Sequence, residues 1–172
     1  MSHSVKGVPA GFHTITPQLT LDNAKQGIEW YKRAFGAQEV YVSTGPDGKV
    51  MHAELKIGDS SFMCNDAMQH MKGPHALGGS PAAFWIYVPD ADSLFNRAMK
   101  AGATPAAGIM GQMSEQFWGD RCGMFTDPHG YRWTIAARKE DLSHDEVQRR
   151  GMAFMEQMGH GSPSSGGAER HA

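Results

Sequence analysis

The residues best suited to chemistry are His52 and Glu54, which stand two apart in the segment VMHAELKI (50–57). This segment predicts a strand, and side chains two positions apart on a strand share one face. An imidazole beside a carboxylate could act as an acid/base pair or supply two ligands to a metal ion. Two donors on one strand could equally face solvent or hydrogen-bond across the sheet, so a structural role stays open for both.

A second group of residues could bind a ligand rather than transform it. Its members lie on, or just before, predicted strands of the C-terminal half: Trp85, Trp118, Arg121, Phe125 and Trp133. Trp118 belongs to the phrase F-W-G-D-R, a loop entering a strand, where a bulky aromatic side chain can cover a ligand. Arg121 could hold a carboxylate or phosphonate through two parallel hydrogen bonds. Core packing of the aromatic residues and a local ion pair at Arg121 are the alternatives.

Composition and charge argue against several classes of partner. The 172 residues carry a formal net charge of −2, with acidic and basic side chains interspersed. We therefore expect neither a nucleic-acid nor a membrane partner. Only two cysteines occur, Cys64 and Cys122, and neither forms a CxxC pair, which is typical of a reducing compartment. No secretory signal is visible near the N-terminus, so the expectation is a cytoplasmic protein. The mixed charge leaves a small molecule or another protein as the expected partner.

The order of predicted elements occurs twice along the chain. Each copy reads strand, helix and then extended segments, and the copies match in their caps and turns. Asp22 and Asp90, at two predicted helix starts, are 68 residues apart, and so are Asp59 and Asp127, at two turns. A constant offset of this kind indicates an internal repeat. An α+β domain whose helices are spaced alike by chance is the alternative.

The predicted fold class is α+β, with two βαβββ modules and a C-terminal helix. The capping box formed by Ser143 and Glu146 marks the start of that helix. The predicted boundaries are a first module at 12–66, an exposed linker at 67–82, a second module at 83–139, the C-terminal helix at 143–158 and a disordered tail at 159–172. The first strand is predicted at 15–21, and a short extended piece near 104–109.

Three phrases carry a specific resemblance to a known family. They are IEWYKRAFGAQEV, MHAELKIGDSSFMCND and FWGDRCGMFTDPHGYRWTI. Together they resemble the vicinal-oxygen-chelate superfamily, which includes glyoxalases, bleomycin-resistance proteins and extradiol dioxygenases, and more closely its PhnB-like branch. The resemblance runs from about residue 12 to residue 139 and implies that each module curls its sheet into a half-open cup. It also implies a homodimer, in which modules pair either within one chain or across two.

The resemblance further implies where a metal would sit. Metal-dependent members carry four ligands, usually His, Gln or Glu, on the first and last strands of the modules, and the metal acts as a Lewis acid. In this chain those positions fall near Thr16, Met63, Ala83 and Thr134. First-row divalent metals prefer imidazole, carboxylate or thiolate ligands, so this site is predicted to be lost. We expect no cofactor, with a divalent metal possible only at a displaced site.

Three functions follow as hypotheses. The first is a metal-independent protein that binds a small, flat or amphipathic molecule in an aromatic-lined cup. The second is a lyase, isomerase or dioxygenase that uses a displaced metal site including His52 and Glu54. The third is a structural or regulatory dimer that acts through its dimer surface and its C-terminal helix.

Overall fold

The described part of the chain, residues 7–159 of a computed structural model, contains the two βαβββ modules. The first module consists of β1 (Gln18–Leu21), α1 (Ala24–Phe35), β2 (Gln38–Thr44), β3 (Val50–Ile57) and β4 (Ser60–Asp66). A linker with one short helix, α2 (Pro74–Leu77), follows. The second module consists of β5 (Ala83–Tyr87), α3 (Ala91–Lys100), β6 (Thr104–Pro105), β7 (Ser114–Glu115), β8 (Asp120–Thr126) and β9 (Arg132–Arg138). The last helix is α4 (His144–Gly159).

Local sequence signals set the helix ends. The Asn23 side chain accepts a hydrogen bond from the backbone N–H of Gln26 at 3.0 Å and opens α1. Gly36 ends the same helix in the left-handed region, at φ 70°. Asp90 and Ser143 accept equivalent capping bonds at the starts of α3 and α4.

Both sheets have the same strand order, and this confirms the predicted fold class. The first sheet runs β1-β4-β3-β2 and the second β5-β9-β8-β6, with β7 also paired to β8. In each sheet the first strand is parallel to the last strand of its module, and the remaining pairs are antiparallel. The repeat read from the chain is therefore a repeat of topology.

Three segments differ from their predicted extents. The first strand begins at Gln18 rather than at residue 15, because Pro17 has no N–H to offer a ladder. The extended piece predicted at 104–109 is confined to β6, and the segment after it forms a 3-10 turn (Gly108–Gly111) before β7. The linker, predicted to be exposed, buries Pro74 at the first turn of α2.

The two helices α1 and α3 pack together in a core that both modules share. Tyr31 and Phe35 of α1 contact Trp133 of the second sheet, with ring centroids 5.8 and 4.8 Å apart. Trp30 Nε1 donates to the carbonyl of Ala101 at 2.9 Å. Each sheet therefore covers the helices with one face and leaves its other face open.

The C-terminal region begins with α4, which lies against the loop that precedes β8. Gly159 ends α4, and the rest of the predicted disordered tail, 160–172, lies outside the described residues. No helix within residues 7–159 is long and apolar enough to cross a membrane.

Candidate ligand-binding site

Three aromatic side chains lie together on the open face of the second sheet: Trp85, Tyr87 and Trp118. We call them the aromatic face. Trp85 and Tyr87 project from β5 and are 43% and 55% exposed. Their rings are nearly parallel, with centroids 6.0 Å apart, and Trp118 meets Trp85 at 6.5 Å and 60°. Exposed aromatic side chains in such a group offer a flat apolar surface to a ligand.

A buried carboxylate holds this face together. Asp120, at the start of β8, is 1% exposed, and its Oδ2 accepts hydrogen bonds from Tyr87 Oη and Trp118 Nε1, both at 3.0 Å. Arg138 Nε forms an ion pair with Oδ1 at 2.9 Å, although its N–H does not point at that oxygen as a hydrogen bond requires. Burial, and then the bond to Asp120, raise the pKa of the Tyr87 hydroxyl. The Asp120 side chain thus connects β5, β9 and the loop that precedes β8.

Thr134 lies beneath the aromatic face. It is fully buried, and its neighbours across β5 and β8 are Trp85 and Met124. Its Oγ1 is a buried oxygen without a hydrogen-bond partner. A buried hydroxyl without a hydrogen bond lowers the stability of the fold. The aromatic face thus covers a polar oxygen that makes no hydrogen bond.

The sequence-predicted ligand residues do not share one face of the sheet. Trp85 and Trp118 are on the open face, whereas Arg121, Phe125 and Trp133 point toward the helices. Phe125 is fully buried, and Trp133 Nε1 donates to the buried Asp127 at 2.8 Å. Arg121 forms a two-fold hydrogen-bonded ion pair with Asp92 of α3, at 2.8 and 2.6 Å. Core packing and an ion pair therefore account for these three, because side chains alternate between the faces of a strand.

Tyr87 and Asp120 were not among the predicted ligand residues. The spacing of Trp85 and Tyr87, two apart on a predicted strand, is the signal that could have shown Tyr87. No local signal could have revealed that Asp120 accepts from both aromatic side chains, because Tyr87 and Asp120 are 33 residues apart in the sequence.

A cleft of about 1010 Å³ opens beside β5, between the two modules. Trp85 and Tyr87 border it from the aromatic face, and Trp133 borders it from the core side. The remaining wall is mainly apolar and includes Leu19, Phe35, Phe62, Phe84, Ile86 and Leu94, while Asp90, Ser93 and Arg97 are among its polar residues. The aromatic face therefore continues into an apolar cleft that could receive part of a small molecule.

His52 and Glu54 lie on the open face of the first sheet. His52 Nε2 is 3.2 Å from Glu54 Oε1, and the two side chains are 36% and 25% exposed. Tyr41 is paired with Glu54 on the neighbouring strand. Residues 7–159 contain no group of three or more His, Cys, Asp or Glu side chains that could hold a metal ion. The two residues thus contact each other but gain no third donor.

Two of the predicted metal-ligand positions, Thr16 and Met63, lie in the first module. Thr16 precedes β1, and its hydroxyl donates to the carbonyl of His13 at 3.1 Å. The residue of β1 that pairs with Met63 is Gln18, two positions later. The Gln18 side chain donates to Asn65 Oδ1 at 2.8 Å.

In the second module the predicted positions are Ala83 and Thr134. Ala83 pairs with Arg132, and the residue of β5 that pairs with Thr134 is Trp85. The four predicted positions offer two hydroxyls, a thioether and a methyl group, and the strand partners Gln18 and Trp85 add an amide and an indole. This set holds none of the imidazole, carboxylate or thiolate ligands that first-row divalent metals prefer.

The whole architecture has relatives among known proteins. The family model described as "Glyoxalase/Bleomycin resistance protein/Dioxygenase superfamily" matches residues 11–135. The chain belongs to this superfamily. The matched region contains the first module and the second module as far as the middle of β9, and it ends before α4.

Individual members of the superfamily show how far the likeness extends. An uncharacterised protein of Mycobacterium bovis is 37% identical over 139 residues, which cover 78% of this chain and 89% of that protein. The crystal structure of a gene product from Arabidopsis thaliana is 28% identical, with a TM-score of 0.57, and covers 73% of this chain and 98% of its own. A PhnB protein from Bacillus cereus is 16% identical, with a TM-score of 0.54 and coverages of 73% and 99%. The last likeness shows the shared fold alone, so the PhnB-like branch stays a prediction.

Proposed function

We propose that this glyoxalase-superfamily chain binds a small, flat or amphipathic molecule on the aromatic face, without a metal at the four family positions. One observation carries the proposal. Trp85, Tyr87 and Trp118 stay partly exposed while a buried carboxylate fixes two of them. Aromatic rings held in place before a ligand arrives lose little conformational freedom on binding. The adjoining cleft, with its apolar wall, supplies depth beside the flat surface.

Binding is better supported than metal-dependent turnover. The four predicted family ligand positions fall near Thr16, Met63, Ala83 and Thr134, and the strand partners of Met63 and Thr134 are Gln18 and Trp85. The displaced pair His52 and Glu54 contributes two donors, which is fewer than a catalytic zinc site uses. A lyase, isomerase or dioxygenase that uses this pair stays a prediction, and no contact of the pair favours it over binding.

We further propose that the cup is completed across a homodimer. Within one chain the open faces cannot meet, because α1 and α3 lie between the sheets. The strands β1 and β5 are both sheet edges, and an edge strand is a template for pairing with another chain. A two-fold dimer that paired these edges would bring the His52–Glu54 face of one copy opposite the aromatic face of the other.

The two free thiols, Cys64 and Cys122, are both buried and suit a cytoplasmic location.

Calorimetric titration with two flat probes, 2-naphthoate and 2-naphthylmethylamine, tests the binding proposal. We expect at least one to bind, and Trp85→Ala to weaken it about 5- to 10-fold through the loss of one aromatic contact. Trp85→Phe should keep most of the affinity. Leu77→Ala, which removes a side chain that is 62% exposed on α2, should change nothing. If neither probe binds at millimolar concentration, the proposal fails.

Two further measurements test the other parts of the proposal. Elemental analysis of protein purified without chelator should find no stoichiometric divalent metal, and a metal that disappears in His52→Ala would overturn the metal-free part. Sedimentation equilibrium should give a dimer. A chain ending at residue 142 that stays dimeric and binds a probe would count against a purely structural role for the dimer surface and α4.

A further inference from the structure

We infer that Phe154 of α4 is a positioning residue for the aromatic face, because it holds Phe117 and, through Phe117, Trp118. The inference rests on the proposed ligand site and adds to it an element outside the family domain. The family match ends at residue 135, and α4 begins at His144. The helix α4 therefore lies outside the residues that the family model matches.

The contact between α4 and the loop is close and specific. The rings of Phe154 and Phe117 have centroids 5.5 Å apart at 32°. Gly151, one turn earlier in α4, lets the helix approach, because a Cβ there would lie 3.0 Å from Phe117 Cε2. Phe117 in turn meets Trp118 edge to face, at 4.9 Å and 89°. A continuous row of rings thus runs from α4 to the aromatic face.

Polar contacts fix the helix and the loop to the same segment of chain. Arg150 donates two hydrogen bonds to Glu140, both at 2.9 Å, and a third to Glu146 at 2.7 Å. The carbonyl of Gly119 accepts from the backbone N–H groups of Lys139 and Glu140, at 2.8 and 3.0 Å. Glu140 therefore contacts α4 through its side chain and the loop through its backbone.

Three methionine side chains of α4 stay largely exposed. Met152, Met155 and Met158 are 58%, 69% and 58% exposed. Met152 lies on the side of the helix away from Phe154, and Met158, four residues after Phe154, lies one turn beyond the contact. The helix is thus attached along one stripe, and that stripe covers the loop that carries Trp118. An isolated helix of about this length is only marginally stable in water. The packing of α4 on Phe117 therefore orders the helix and the loop together.

Fluorescence quenching of Trp118 tests the inference without any ligand. In a Trp85→Phe background, the buried Trp30 and Trp133 are shielded from acrylamide, so quenching reports on Trp118. We expect Phe154→Ala to raise the quenching constant of Trp118. Met155→Ala, a large-to-small change on the exposed side of α4, should leave it unchanged. Phe154→Tyr should restore the wild-type value, since it keeps the ring.

Titration of the naphthalene probe that binds then tests the link to the site, in chains that keep Trp85. Phe154→Ala should weaken binding about 2- to 10-fold through the loosened aromatic contact, while thermal unfolding shows that both modules stay folded. Equal quenching in Phe154→Ala and Met155→Ala would overturn the inference. Raised quenching with unchanged probe affinity would also overturn it, because Trp118 would then be held without effect on the site. If no probe binds any variant, the proposed function fails, and the quenching comparison alone decides whether α4 holds Trp118.

Discussion

Removing the carboxylate of Asp120 should destabilise the second module and release the aromatic face. Asp120 is buried, and its Oδ2 accepts from both Tyr87 and Trp118 at 3.0 Å. Asp120→Ala removes both acceptor interactions and leaves Arg138 without its partner. Asp120→Asn keeps one carbonyl oxygen that can accept from both donors, but it removes the charge and replaces the oxygen that faces Arg138 by an NH2 group.

The contacts indicate the size of each effect. A hydrogen bond to a charged group contributes about 1.5–3 kcal/mol to stability. Tyr87 is 55% exposed, so its hydroxyl can bond to water instead, and the loss falls below the sum of two full bonds. We expect Asp120→Ala to lower the free energy of unfolding by about 2–4 kcal/mol. Arg138 is 50% exposed, and a half-exposed ion pair contributes about 0–1 kcal/mol. In Asp120→Asn the two hydrogen bonds also become neutral and weaker, so we expect a loss of about 1–2 kcal/mol, smaller than that in Asp120→Ala.

Urea unfolding at pH 7, followed by tryptophan fluorescence, measures these differences. A double-mutant cycle with Tyr87→Phe isolates the Tyr87 bond, and we expect a coupling energy of about 1 kcal/mol with Asp120→Ala. The reasoning would be refuted if Asp120→Ala and Asp120→Asn were equally destabilised, because the charge rather than the shared acceptor would then stabilise the site. A coupling energy near zero would refute the contact with Tyr87 in solution.

Two further predictions concern buried titratable groups. Burial, and then the neighbouring Asp127, raise the pKa of Tyr31 well above its usual value near 10. Its contribution to stability is therefore complete below pH 10 and is lost as the pH rises through the folded-state pKa. Tyr31→Phe should lose less stability than wild type in urea unfolding between pH 9 and about pH 11, and an unchanged pH dependence would contradict this. Burial raises the pKa of Cys64 to about 12 and that of Cys122 to about 11, so neither thiol should react with Ellman's reagent at pH 8 until urea unfolds the chain. Rapid labelling of the native protein would show that one of them is accessible.

Much of the fold could be predicted from local signals. The caps at Asn23, Asp90 and Ser143 and the stop at Gly36 report on neighbouring residues, so helix ends follow from short stretches of sequence. The spacing between matched caps and turns revealed the repeat, and three phrases pointed to the superfamily. The first strand was predicted too long, because the chain before Pro17 alternates like a strand but has no ladder to join.

The candidate site was predicted only in part, because strand periodicity shows which residues share a face but not which face is buried. In β9 every residue from Trp133 to Ala137 is buried, so no alternation of polar and apolar residues marks the two sides. Packing of α1 and α3 decided that Trp133 and Phe125 point into the core and that Thr134 lies beneath Trp85.

The sequence by itself therefore determined the modules, their repeat and the residue types available for binding, since these depend on neighbours along the chain. Only the tertiary structure brought Tyr87 and Arg138 to the buried carboxylate that also accepts from Trp118, because Tyr87 and Arg138 lie on strands that are distant from Asp120 in sequence. Side chains meet across a sheet according to register, and register follows from how the whole core packs.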